Sequence, residues 1–272
     1  MCLVGLAIGV LPQIPLLVAA NRDEYWSRPT LPLSRWQGQH APILSGRDER
    51  AGGTWMGFAE QGRVAILTNV RPQSHEPAAP KSRGLLTTTW LDTQHSNVSL
   101  ETLTKGFDPL DFAGFNLVVG HAPSQQWWFL TNRCESSGAP LSQWHTQALE
   151  PGVHVVSNAS LNTAWPKAER LRAALEQAAG QPSNDFDAIA TPLWNTLQHR
   201  PSQRDDWQGL EQDAFVWRPH ARYGTRSSTV AAWHGPGQML DVQEWTYEPT
   251  TRHVALHRQE VWRGWGAESH GS

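Results

Sequence analysis

Cys2 is the residue whose place in the chain carries the most chemistry. Removal of Met1 would put a free α-amine on the residue that bears the thiol. Such an amine titrates near ~7.7–8.0 and can take the thiol proton itself, so the nucleophile needs no histidine. A second group lies twenty residues on, at Asn21-Arg22-Asp23-Glu24. If residues 2–10 and 16–20 pair as a hairpin, their far ends meet, and Arg22 and Asp23 become neighbours of Cys2. An arginine there lowers a thiol's pKa, and an aspartate can orient an α-amine. That is the chemistry of acyl transfer to sulfur.

The hairpin has a competitor. The chain is apolar up to Ala20, and Val18-Ala19-Ala20 has the small residues of an export cleavage site. No Lys or Arg precedes Arg22, however, and Pro12 and Pro15 break the apolar core that a signal peptide needs. The same prolines, with Gly5 and Gly9, spoil a membrane-spanning helix. Two buried strands joined by a turn over 11–15 fit better, because prolines suit that turn. The hairpin reading keeps Cys2 in the mature protein.

Further strand-like runs lie at 63–68, 115–119, 127–130, 153–156, 228–233, 239–247 and 253–257. The plainest helix covers 166–179, with Pro166 in its first turn and Gly180 after its end; others are expected at 186–198 and within 82–91 and 100–104. Strands come in blocks with helices between them, which implies an α+β fold with mostly antiparallel sheets. Loops are expected at 72–80 and 136–140. One domain over 1–263 and a polar tail over 264–272 complete the organisation.

Composition narrows the function. With 22 basic and 25 acidic residues the formal charge is −3, so no electrostatic footprint for nucleic acid or an anionic membrane is present. Two cysteines make no disulfide framework, and with no export signal a cytoplasmic home is expected. Fifteen tryptophans are read either as core or as the lining of a pocket for a flat apolar ligand. Cys134 falls in a turn-like stretch and reads as a bystander. His253 and His257 alternate as on a strand rather than pairing on a helix, so no metal is assigned. Arg47-Asp48-Glu49 repeats the earlier tripeptide and reads as a charged turn.

Several motifs occur in order: MCLVGLAIG, the tetrapeptide NRDE at 21–24, GGTWMG at 52–57, TNVR at 68–71, SNA at 157–159, WPK at 165–167 and YGTRSSTV at 223–230. Together they resemble the NRDE family, the transport and Golgi organization protein family, over residues 1 to about 230. That family looks like a branch of the N-terminal-nucleophile hydrolases, which implies a four-layer αββα sandwich. By similarity to the penicillin V acylase and bile salt hydrolase branch, Cys2 matches the nucleophile, Arg22 the arginine beside it and Asp23 the aspartate near the α-amine. Asn69 and Asn158 fall on its oxyanion-side and amine-side asparagines, and Arg226 on its late arginine. In that branch the arginine and aspartate are separated by two residues. Here they are adjacent, so without a bulge only one faces Cys2, and Arg22 is the better match.

Two functions follow from the resemblance. Members of the family are linked to haem mobilisation and to lipid or acyl-CoA handling, which implies a carrier of a flat or long amphipathic ligand with haem as cargo. It also implies transient contact with a membrane or an acceptor protein. The alternative is an N-terminal cysteine amidohydrolase that cleaves a small amphipathic amide and needs no cofactor.

Overall fold

Both faces of the first strand are apolar, which is stable only when both are covered. In the computed structural model, which describes residues 2–70, 78–93, 99–180, 185–202, 207–235 and 239–266, two different layers cover them. Fourteen strands are present among these residues: β1 (Cys2–Ile8), β2 (Leu16–Tyr25), β3 (Thr30–Gln37), β4 (Pro42–Asp48), β5 (Met56–Ala59), β6 (Arg63–Asn69), β7 (Phe115–His121), β8 (Gln126–Arg133), β9 (Pro140–Ala148), β10 (Gly152–Val156), β11 (Trp217–Arg218), β12 (Tyr223–Trp233), β13 (Met239–Tyr247) and β14 (Val254–Arg263). The helices are α1 (Gly84–Leu91), α2 (Glu101–Thr104), α3 (Pro166–Ala179) and α4 (Phe186–Leu197).

The strands form two antiparallel sheets. One runs β10-β1-β2-β12-β13-β14, with β11 on the end of β12; the other runs β3-β4-β5-β6-β7-β8-β9. Between them lies a core that takes Val4, Leu6 and Ile8 from β1 and Leu16, Val18 and Ala20 from β2, against Phe58, Val64, Ile66 and Phe129 of the other sheet. The opposite face of β1, Leu3 and Ala7, packs on Leu171 and Leu175 of α3 and on Ile189 and Leu193 of α4. α1 covers the outer face of the second sheet through Leu86, Trp90 and Leu91. The result is the four-layer αββα sandwich. A Cβ at Gly5 would lie 2.5 Å from Leu175 Cδ1 and 2.9 Å from Leu171 Cγ, so the glycine lets α3 pack closely on β1.

The tryptophans are largely structural. Trp90, Trp127, Trp233 and Trp265 are fully buried, and Trp265 packs edge-on to Phe58 and Trp233 in the inter-sheet core. Gly264 to Gly266 therefore belong to the packed chain, and the remaining residues of the expected tail lie outside the described ones. Most of the expected loop at 72–80 also lies outside them.

Five strands have no counterpart in the expected elements, among them the two-residue β11. β9 is exposed along most of its length and carries Ser-Gln-Trp-His-Thr-Gln, so an edge position leaves no apolar alternation to read. β3 and β4 carry proline, serine, glycine and charge, and β5 has only four residues.

Candidate functional site

Register brings Cys2 and Arg22 together. They are directly paired in the β1–β2 ladder, and both lie on the inter-sheet side in step with Val4 and Ala20. Asn21-Arg22-Asp23-Glu24 continues β2 rather than following it, so its side chains alternate. Asn21 turns to the helix layer, where its Nδ2 donates to the carbonyls of Leu197 (2.7 Å) and Ala214 (2.8 Å) and its Oδ1 accepts from Ser228 Oγ. Arg22 turns the other way, its guanidinium 4.0 Å from the ring centre of Trp55 and 3.9 Å from a Glu24 oxygen. Asp23 Oδ1 accepts from Thr225 Oγ1 at 2.7 Å, and Lys167 and Arg218 are among the charges around it.

No bulge in β2 turns Asp23 toward the thiol. The irregularity lies in β12, between Thr225 and Ser227, and the residue it ejects is Arg226. The Arg226 Nη1 donates to the carbonyls of Tyr25, Trp26 and Arg28, bracing the turn after β2. Arg226 is not among the residues that line the Cys2 cavity.

That cavity, about 400 Å³, is lined by Cys2, Arg22, Asp23, Glu24, Trp55 and Asn69, with Arg28, Asp48 and Arg83 on its walls and Tyr25 and Tyr223 at its edge. Among the described residues no histidine lines it. Asn69 ends β6 on the opposite sheet, so the cavity straddles the two sheets. Asn158 stands behind this wall. Its Nδ2 donates to the Asn69 carbonyl at 2.7 Å, while Ser157 Oγ donates to the Cys2 carbonyl at 2.7 Å. Thr68 Oγ1 donates to the Ser157 carbonyl, and the buried Asn116 Nδ2 donates to the Ala159 carbonyl at 2.7 Å. The loop after β10 is thus stitched to the end of β6, and Cys2 and Asn69 are held across the gap.

Electrostatics divide the site. Burial pushes the Cys2 thiol above its ordinary range, although Arg22 and an Asp23 backbone N–H act against it. Burial also raises Asp23, opposed by Lys167 and the Thr225 hydroxyl. Burial lowers Arg22, with Glu24 opposing. Asp48 goes down: burial would raise it, but the Arg28 guanidinium and the Ala51 N–H outweigh that. The arrangement holds a protonated thiol beside a buried guanidinium, and it could stabilise negative charge that develops on an atom bound to sulfur. Among the described residues that line the cavity, Cys2 is the one soft donor.

Sequence reasoning missed Trp55, Tyr223, Asn116 and Arg83. Trp55 and Tyr223 lie inside quoted motifs, GGTWMG and YGTRSSTV, so a signal for them existed. Asn116 sits in an apolar strand, and a buried asparagine there is itself a signal of a fixed hydrogen-bond role. Arg83 belongs to no motif.

The family model described as "Transport and Golgi organisation 2" matches residues 1–249. A mouse relative, "Transport and Golgi organization 2 homolog", is 31% identical over 238 residues, covering 79% of this chain and 80% of its own. Among solved structures, the C2A mutant of a conjugated bile acid hydrolase from Clostridium perfringens superposes with a TM-score of 0.53 at 10% identity, over 97% of both chains. A Caenorhabditis elegans ortholog of N-acylethanolamine-hydrolyzing acid amidase gives 0.51 at 11%, over 96% of this chain and 99% of its own. At such identities these structures speak for the fold alone.

Proposed function

Starting from a chain that belongs to the Transport and Golgi organisation 2 family, we propose that it binds and hands on an amphipathic ligand at the Cys2 cavity, with haem and acyl-CoA thioesters as the leading cargoes. The observation that carries this reading is the cavity's two-sided character. Its floor is charged, with Arg22 and Glu24 beside the thiol, while the rings of Tyr25 and Tyr223 in its lining lie 5.1 Å apart, and Trp207 adds a ring 5.2 Å from Tyr223. Tyr25 and Trp207 are about half exposed. Exposed rings over a charged floor suit a ligand with an apolar body and a polar end. An open site also suits release to a membrane or an acceptor protein.

The second reading is an N-terminal cysteine amidohydrolase, favoured by the direct pairing of Cys2 with Arg22 and by Asn69 in the same cavity. With Met1 removed, the α-amine of Cys2 would take the thiol proton as sulfur attacks the amide carbonyl. The same amine would return that proton to the leaving nitrogen, and water would hydrolyse the thioester. Asn69 would donate to the oxyanion, a contribution of about 2.7–4 kcal/mol in other enzymes.

One experiment separates the two. Haem and oleoyl-CoA are titrated into wild type and Cys2→Ala, and both proteins are incubated with a panel of N-acyl amino acids after intact mass has established whether Met1 is present. Saturable binding without amine release supports the carrier. Amine release that Cys2→Ala abolishes supports the hydrolase, and the absence of both overturns the two readings together.

A further inference from the structure

The Cys2 cavity holds more guanidinium groups than its own carboxylates occupy. Arg22, Arg28, Arg50 and Arg83 line it. Arg28 is bound to Asp48, with Nε and Nη2 at 2.9 and 2.7 Å from Oδ2. Arg22 is 95% buried, its Glu24 neighbour at 3.9 Å is beyond hydrogen-bond reach, and among the described residues its buried Nη1 has no hydrogen-bond partner. A buried guanidinium with an open donor is costly to leave so, and an anion relieves it.

Arg83 is the second such group. Its Nη1 donates to the Gly114 carbonyl at 3.0 Å, and among the described residues no carboxylate pairs with it. Arg83 lines the same cavity as Cys2, Arg22 and Glu24. Arg83 stands at the start of α1, which no side chain caps, and Ser82 and Gly84 line the cavity with it. The positive end of that helix therefore adds to the same wall. Arg50 is exposed at the mouth.

We infer that Arg83 and Arg22 form an oxyanion subsite that takes the carboxylate or phosphate of the ligand close to Cys2, leaving its apolar body to lie over Tyr25 and Trp207. This rests on the ligand-handling reading above and narrows its class to amphipaths with a terminal anionic group. Guanidinium forks match both oxyanions bidentately, so carboxylate and phosphate share the chemistry. Arg83 acts here in binding and specificity.

The test uses inorganic pyrophosphate and succinate as separate probes, titrated calorimetrically at low salt into wild type, Arg83→Met, Arg83→Lys and Arg35→Met. Arg35 lies away from the cavity, over Trp262. Wild type and Arg35→Met should bind at least one probe alike, Arg83→Met should lose tenfold or more in affinity, and Arg83→Lys should fall between. Binding of pyrophosphate alone assigns a phosphate, and of succinate alone a carboxylate. Unfolding midpoints check that each variant is folded, and Arg83→Lys keeps a donor for Gly114 should Arg83→Met fail to fold. No binding of either probe to wild type, or equal binding by Arg83→Met, overturns the subsite. Haem or oleoyl-CoA binding that is equal in wild type and Arg83→Met would sink the subsite and leave the carrier reading standing.

Discussion

The two cysteines face two cavities and are built in opposite ways. Cys2 is 7% exposed, locked by strand register against Arg22, and burial holds its thiol protonated. Cys134 lies on the turn after β8, at the wall of a cavity of about 540 Å³, where Ser136 and Ser137 hydrogen bonds bring its pKa down to about 6. By acidity alone Cys134 is the reactive residue. Yet hydroxyls on one short turn make it so, whereas elements from both sheets converge on Cys2. A low thiol pKa and a built site are separate properties, and in this molecule they sit on different residues.

Alkylation tests the contrast where its effect is largest. At pH 7 a thiol with a pKa of about 6 is mostly thiolate, while one above its ordinary range is ionised to roughly 1% or less. Iodoacetamide should therefore modify Cys134 on the order of 100-fold faster than Cys2, read by peptide mass spectrometry across pH. Comparable rates would mean that Cys2 is activated in solution.

A smaller effect probes the partition between the cavities. Asn116 lines the Cys134 cavity and fixes the loop whose Ser157 holds the Cys2 carbonyl. Asn116→Ala removes the donor to the buried Ser157 carbonyl and the part-buried Ala159 carbonyl and should cost about 1–3 kcal/mol in denaturant unfolding. It should also speed Cys2 alkylation while leaving Cys134 unchanged. Equal acceleration of both thiols would show general loosening instead.

Acid gives a third test. Asp48, on the Cys2 cavity wall, has a folded pKa below that of the unfolded chain, so its stabilisation is present above the ordinary carboxylate pKa of ~3.9 and is lost as pH falls through the depressed value. Wild type should melt higher than Asp48→Asn at pH 6, and the gap should begin to narrow near pH ~4 and close only as pH falls through the depressed value. A gap independent of pH would remove the Arg28–Asp48 pair as its cause. The least effect belongs to Cys134→Ser, which should leave the unfolding midpoint unchanged, as for a surface change.

How much of this was legible follows residue chemistry. The 239–247 strand and the 166–179 helix were found with their ends, because apolar alternation, Pro166 and Gly180 are local signals. The adjacency of Arg22 and Asp23 already implied that they face apart, as they do. Local pattern could not give the stretch from 30 to 59, where small and polar residues form three strands stabilised by their neighbours in the sheet. Nor could it place Arg226, whose direction depends on a bulge in β12, or Arg83, whose importance lies in what stands across the cavity.

The central claim is that the ligand enters at Cys2 and not at Cys134. It is tested most directly by measuring alkylation of both thiols, residue by residue, with and without saturating oleoyl-CoA and, separately, haem. The account predicts that ligand slows modification of Cys2 by tenfold or more and leaves Cys134 at its free rate. Protection of Cys134 with Cys2 unchanged would contradict it and move the site to the other cavity.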